Sequence, residues 1–296
     1  MNGEIVSCDS MQIYRRMDIG TAKPTAEDRQ KIPHHLIDVA NPDTPFSCAE
    51  YVTLAAKAIE EITARGKLPI VCGGTGLYLD ALLRGSGFEE ESAVNPVLRQ
   101  GLFDYAAEHG NHALHERLCA VDPESADAIH ENNVKRVVRA LEVFESTGIT
   151  KTELDRRSRL VESPYRAAVI GLRYADRELL YRRIDCRVDE MITHGLLDET
   201  ARLSAEGVFD TNATAAQAIG YKELLMYLNG EQSLTDAIED LKRATRRYAK
   251  RQITWFGARG YVQWVDVRED RTLFDIADDA HRLAVPILQA QEEESL

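Results

Sequence analysis

A short apolar run, Glu4 to Cys8, ends on the carboxylate of Asp9. If the run is a buried strand, Asp9 stands at its carboxyl end, where open α/β sheets bind their ligands. A carboxylate in that place can accept a proton from a nucleophile or hold a metal-bound water. It can equally do no more than cap the next turn beside Ser10. The stretch that follows carries Tyr14, Arg15, Asp18, Gly20, Thr21 and Lys23. That is more polar chemistry than a turn needs, and Lys23 before Pro24 predicts an extended segment presenting a cation.

A second constellation is Gly73-Gly74-Thr75-Gly76, again after an apolar run, Leu68 to Cys72. Small residues let a backbone approach a ligand closely, and amides opening a helix suit a phosphate or another polar group. The simpler reading is a tight strand-to-helix turn with Thr75 as N-cap. A third is the cationic stripe Lys242, Arg243, Arg246, Arg247, Lys250 and Arg251. At helical spacing it covers about half the circumference, and Leu241, Ala244, Tyr248, Trp255 and Phe256 take the other half. Anion binding competes there with pairing to Asp236, Glu239 and Asp240. Lys135, Arg136 and Arg139 form a smaller cluster. His112, His115 and Cys119 share a helical face after His109, but lack the context of a metal site.

These groups have to be positioned by elements legible in the pattern. Ser47 with Glu50 forms a capping box that opens a helix over Ser47 to Arg65, and Gly66 stops it. The first ninety or so residues read strand, loop, helix, strand, helix, which is the order of a parallel sheet with crossover helices. Residues 95–148 carry only helical periodicity, with candidates at Val97 to Ala107, Asn111 to Val121 and Val134 to Ser146. Val169 to Leu172 reads as another buried strand, and Val262 to Val265 as a late one. The expected organisation is an α/β core in two parts, residues 1–94 and 165–296, around an all-helical insertion at 95–164.

The polar motifs resemble those of the tRNA dimethylallyltransferases. DSMQIYRRMDIGTAKP (Asp9 to Pro24), PHHLID (Pro33 to Asp38), GGTGLY (Gly73 to Tyr78), IHENNVKRVVRALEV (Ile129 to Val143), QAIGYKE (Gln217 to Glu223) and TRRYAKRQITWF (Thr245 to Phe256) follow in the family's order over nearly the whole chain. The resemblance implies a P-loop NTPase-like parallel sheet. It also implies transfer of a dimethylallyl group from dimethylallyl diphosphate to the exocyclic amine of the adenine 3′ of the anticodon, assisted by Mg²⁺. By the same resemblance Asp9 is the general base and Thr75 a substrate contact. Contacts to the tRNA anticodon stem-loop are expected from Ser10, Met11 and Gln12, from Arg99, from Lys135, Arg136, Val137, Val138 and Arg139, and from Gln217, Ala218, Ile219, Gly220, Tyr221 and Lys222. Arg247 and Arg251 are expected to meet phosphates.

The family pattern begins with a strand, a GxTxxGK[ST] phosphate loop and a helix that precede the first motif here. Gly66-Lys67 is not such a loop, since Glu61 replaces the first glycine and Leu68 the hydroxyl residue. The expectation is that Met1 is an internal methionine of a longer product, with the loop upstream, and that the chain as written prenylates poorly. The rivals are a non-catalytic tRNA-binding remnant and an adenosine-phosphate prenyltransferase, which would have less use for the cationic clusters. A nucleoside-phosphate kinase shares the architecture but would lack its phosphate-donor site.

Composition sets the outer bounds. The 296 residues are 44% hydrophobic and 29% charged, as in ordinary globular chains. The net charge of −13 argues against nonspecific nucleic-acid affinity, so any RNA contact must be local. Five scattered cysteines without a CxxC pair argue against a disulfide framework and suit a reducing cytoplasm. No secretory signal or membrane-spanning run is visible, and a monomer is the default expectation.

Overall fold

The computed structural model describes residues 2–85, 95–160 and 162–293. The chain divides into two compact units, Met1–Leu79 with Arg166–Leu296, and Asp80–Tyr165. The first division falls earlier than the expected 94/95, and residue 94 lies outside the described residues.

The first unit is built on parallel strands. β1 (Gly3–Ser7) lies between β2 (His34–His35) and β3 (Leu68–Cys72), with Ser7 opposite Cys72. Between β2 and β3 the chain returns through α2 (Cys48–Ala64). Ser47 and Glu50 cap it reciprocally, and Tyr51, Ala55, Ala58 and Ile62 form its buried stripe. Gly66, at φ +68, lets the chain leave the helix directly into β3. The two-residue β2 was not anticipated, since His34 and His35 show no apolar periodicity. A second parallel pair, β4 (Val169–Tyr174) and β5 (Val262–Val267), matches the two later strands read from the sequence. Around these strands run α9 (Arg177–Thr193), α10 (Leu196–Ala205), α13 (Tyr221–Leu228) and α14 (Leu234–Gly257). Their apolar faces meet Ile13, Tyr14 and Met17 in one buried cluster.

The second unit is helical. α4 (Pro96–His109), α5 (Asn111–Val121) and α7 (Val134–Thr147) bury Leu102, Leu114, Leu118, Val137, Val138 and Leu141 against one another. His115 turns its Nε2 to the carbonyls of Ala126 and Ile129, and His112 pairs with Glu131, so each has a protein partner.

Glu4 opens β1 with a buried carboxylate that takes Lys67 at 2.8 Å, His35 at 2.7 Å and Arg65 at 2.6 Å. Lys67, which follows Gly66 but belongs to no phosphate loop, therefore serves to hold the sheet. Its hydrogen bond, then that of His35, outweigh burial and lower the Glu4 carboxyl from about 4.5 to about 2. A carboxyl with that folded pKa stabilises the fold fully above pH 4.5, and the contribution is lost as pH falls toward about 2. Glu4→Gln is therefore expected to melt at lower temperature than the parent at neutral pH. The gap should close in thermal scans between pH 4.5 and about 2.

Candidate active site

Because β1 and β3 are parallel neighbours, their following loops emerge at the same sheet edge. The ladder runs on beyond the strands, with Cys8 N donating to Cys72 O at 2.7 Å and Thr75 N to Cys8 O at 3.1 Å. A Cβ on Gly73 would overlap the Cys8 carbonyl, so only glycine allows the loops to come this close. The Thr75 hydroxyl accepts from Ser10 N at 3.0 Å. Thr75 thus sits at the N-cap position of α3 (Gly76–Arg84), yet its side chain ties the Asp9-Ser10 turn. Both early constellations form one site.

Asp9 meets the capping reading offered for it. Its Oδ1 accepts from Met11 N at 2.8 Å and Gln12 N at 3.2 Å, so it caps the turn. No hydrogen bond reaches Oδ2 among the described residues. Gln12 is spoken for on both ends. Its Nε2 donates to Thr21 O and Ala22 O, and its Oε1 accepts from Ser7 Oγ at 2.9 Å. Gln12 therefore fastens the Asp9 turn to the loop Asp18–Ala22.

That loop is fixed by a residue the sequence reading missed. The buried Glu199 carboxylate, on α10, accepts from Asp18 N, Ile19 N and Gly20 N at 3.0–3.1 Å and from Tyr221 Oη at 2.7 Å. Tyr221 is fully buried, and a Cβ on Gly20 would lie 2.6 Å from its ring. The expected contact of Tyr221 with RNA does not fit this placement, because its ring and hydroxyl are used inside. Burial and the neighbouring Glu199 carboxylate push its hydroxyl far above the usual range. Of Gln217 to Lys222, only Gln217 and Lys222 are exposed. Ala218 and Gly220 are buried, and Gly220 needs its φ of +101.

Lys23 also differs from its expectation. It presents no cation, since its side chain is 2% exposed and its Nζ reaches Tyr14 O, Asp18 and Asp38 at 2.6–2.8 Å. Arg16, Ala22, Leu36 and Asp38 all hold positive φ in these same loops. Non-glycine residues keep that conformation only where surrounding bonds over-determine it. A cleft of about 470 Å³ opens beside this loop, lined by Asp18, Lys23, Arg29, Arg187, Glu190 and His194 among others; neither Asp9 nor Thr75 lines it.

α14 closes the site from another side. Gln252 Nε2 donates to Gly74 O at 2.9 Å, and the Trp255 indole lies over Gly76. Tyr248, one turn before Gln252, has its hydroxyl in reach of the Thr75 and Gln252 side chains. Burial, then the Asp9 charge, raise its pKa. Both residues stand in the motif Thr245 to Phe256, but the sequence singles out neither for the site and sets Tyr248 on the apolar half. The signal was present in a polar residue at i+4 from a tyrosine on that half.

The outer face of α14 is not a uniform stripe. Lys242 pairs with Asp189 at 2.8 Å and Arg246 with Asp185 at 2.5 Å, both from α9, and Arg243 pairs with Asp240. Arg247, Lys250 and Arg251 are exposed without an acidic partner among the described residues, and Arg251 lies over the Tyr248 ring at 5.5 Å. In the second unit Lys135 and Arg136 are exposed in the first turn of α7, while Val137 and Val138 are buried. These two valines present no surface and hold the helix in its core. Arg99 and Arg139 are both bound to Glu142.

Comparison with known proteins settles the kinship of this arrangement. The family model for IPP transferase matches residues 12–259. The chain belongs to the IPP transferase family. It is 50% identical over 266 residues to a tRNA dimethylallyltransferase of Bacillus pumilus, covering 90% of this chain and 82% of that one. It is 47% identical over 264 residues to a Thermoanaerobacter tRNA dimethylallyltransferase, covering 89% and 83%. The crystal structure of a full-length tRNA isopentenylpyrophosphate transferase from Bacillus halodurans superposes with a TM-score of 0.71 at 41% identity, covering 100% of this chain and 91% of that one. A eukaryotic dimethylallyltransferase acting on tRNA gives 0.76 at 30% identity, covering 90% and 68%. The IPP transferase neighbours share the P-loop NTPase-like parallel fold expected above.

Within this IPP transferase site the Glu199 nest is open to test. Tyr221→Phe removes one bond to a buried carboxylate while keeping the ring against Gly20. The expected loss is about 1.5–3 kcal/mol of unfolding free energy, as for hydrogen bonds to charged groups. Denaturant unfolding measures it, and no loss would show that Glu199 is satisfied by the loop amides alone.

Proposed function

We propose that this chain transfers the dimethylallyl group of dimethylallyl diphosphate to the exocyclic amine of the adenine 3′ of the anticodon in tRNA. The observation that carries this reading is the meeting of Asp9 and Thr75 at one sheet edge, with one Asp9 oxygen unengaged among the described residues, in a chain of this family. The adenine has to leave its stack to reach that edge. As the bond from the amine nitrogen to the first prenyl carbon forms, the carbon–oxygen bond to diphosphate breaks. Diphosphate departs with the electron pair, and Asp9 Oδ2 takes the amine proton. Holding Asp9 through Oδ1, Gln12 and the Glu199-bound loop is what makes that proton transfer a matter of position.

The resemblance adds Mg²⁺. Among the described residues no group of three or more His, Cys, Asp or Glu side chains converges to hold an ion. The described side chains do not form a metal site by themselves. The RNA is met in this reading by exposed cations on each unit, Arg247, Lys250 and Arg251 on α14, and Lys135 and Arg136 on α7. Cations in the first turn of a helix oppose its dipole, and a phosphate there relieves both. No helix among the described residues is long and apolar enough to cross a membrane. We place the reaction in the cytoplasm, with the chain acting as a monomer.

Asp9→Asn keeps the Oδ1 acceptor and removes the base. In the full chain, transfer of labelled dimethylallyl to tRNA is expected to fall about 10²–10⁴-fold, the usual worth of general base catalysis. Binding of tRNA should be retained, and unchanged turnover would remove Asp9 from this role. Separately, Arg247→Ala, Lys250→Ala and Arg251→Ala are each expected to lower the slope of log affinity against log salt by about one. Lys242→Ala and Arg246→Ala, whose cations already face Asp189 and Asp185, should leave that slope unchanged in fluorescence anisotropy titrations.

A further inference from the structure

Gln12 stands three residues after Asp9, in the segment whose resemblance implies RNA contact, yet its side chain is spent inside the protein. Its Oε1 accepts from the hydroxyl of Ser7, a buried residue at the end of β1, at 2.9 Å. Its Nε2 donates to Thr21 O at 3.2 Å and Ala22 O at 3.3 Å, so an amide nitrogen with two hydrogens has two carbonyl partners. Those carbonyls fix which way the amide points, since the reverse orientation would set oxygen against oxygen. An RNA contact through this nitrogen would have to break one of these bonds.

The backbone of the same residue touches the carboxylate. Gln12 N donates to Asp9 Oδ1 at 3.2 Å, beside Met11 N at 2.8 Å. One donor leaves a carboxylate free to swing about the bond, and a second donor on the same oxygen restricts the swing. The loop beyond the amide is itself pinned. Glu199 takes the amides of Asp18, Ile19 and Gly20, and Thr21 Oγ1 donates to Met17 O at 2.6 Å. Ala22 is held at φ +48, a conformation that a non-glycine residue keeps only under such constraint. Gln12 is thus tied on one side to strand β1 and on the other to the Glu199-bound loop, with the Asp9 turn between.

We propose that Gln12 is a positioning residue. Its side chain, locked between Ser7 and the carbonyls of Thr21 and Ala22, holds Gln12 N on Asp9 Oδ1 and so aims Oδ2 at the nucleophile. This rests on the prenyl-transfer reading above, and it replaces the RNA contact that the resemblance implies for this residue. The roles differ in what they change. Positioning sets the rate of the chemical step, an RNA contact sets affinity, and a structural tie sets only how much of the protein is folded.

The test combines single-turnover transfer of labelled dimethylallyl to saturating tRNA, tRNA affinity by fluorescence anisotropy, and thermal melts, all on the full chain. Gln12→Met keeps the length of the side chain and loses its bonds to Ser7, Thr21 and Ala22. The rate at saturation is expected to fall about 10- to 100-fold, the worth of a slight misplacement of a reacting group, with tRNA affinity like the parent's. Ser7→Ala removes one partner of the amide and should also slow the step. Combining it with Gln12→Met should slow the step no further, because both act through one bond. If Gln12→Met does not fold, Ser7→Ala decides by the same rate and affinity measurements. Weaker tRNA binding with the parent rate at saturation overturns the proposal in favour of an RNA contact. A parent rate per folded molecule overturns it in favour of a structural tie. Absence of any transfer by the unsubstituted chain overturns the prenyl-transfer reading, and the positioning role with it.

Discussion

Parallel pairing of β1 with β3 is the constraint from which the site follows, because two parallel neighbours release their next loops at one edge. In an antiparallel pair Asp9 and Thr75 would leave at opposite ends of the sheet. Here the hydrogen bonds continue past the strands, through Cys8 to Cys72 and Thr75 to Cys8. Asp9 and Thr75 are therefore placed by backbone geometry, and the side chains need only refine it. Gly73 is the residue that this closeness demands.

Buried carboxylates organise the donors around them in each unit. Isolated buried charges are costly, so each has a full set of donors. Glu4 gathers Lys67, Arg65 and His35 at the start of β1. Glu199 fills a nest of three successive amides and takes the Tyr221 hydroxyl. Glu142 holds two arginines. The chain's net charge of −13 thus conceals acids that work inside, organising amides and cations. The linkage from Glu199 through Asp18–Ala22 and Gln12 to Asp9 is unbroken, which is why the GTAK loop matters although the Lys23 ammonium is held by Tyr14 O, Asp18 and Asp38.

α14 shows one helix divided between two tasks by its neighbours. Its inner side meets Gly74, Thr75 and Gly76 through Gln252, Tyr248 and Trp255. Its outer side is split by α9, whose Asp185 and Asp189 neutralise Arg246 and Lys242 and leave Arg247, Lys250 and Arg251 exposed. Tyr248 touches both sides, with its ring under Arg251 and its hydroxyl toward Thr75.

What the sequence determined by itself was local or ordered along the chain. The capping box at Ser47, the stop at Gly66, the parallel strands, the helical run after Asn95 and the family motifs are all written in neighbouring residues, so periodicity and spacing reveal them. Asp9 at a strand end and the Gly-Gly-Thr loop after a second strand were legible for the same reason. The tertiary structure decided which polar groups remain available. Lys23, Gln12 and Tyr221 look like ligand contacts in the sequence and are consumed by Asp18, Asp38, Ser7, the loop carbonyls and Glu199. Glu142 and Glu199 look like surface acids and are buried. A side chain's availability depends on partners distant in sequence, and only the packing of α9, α10 and α14 around the strands brings those partners within hydrogen-bond reach.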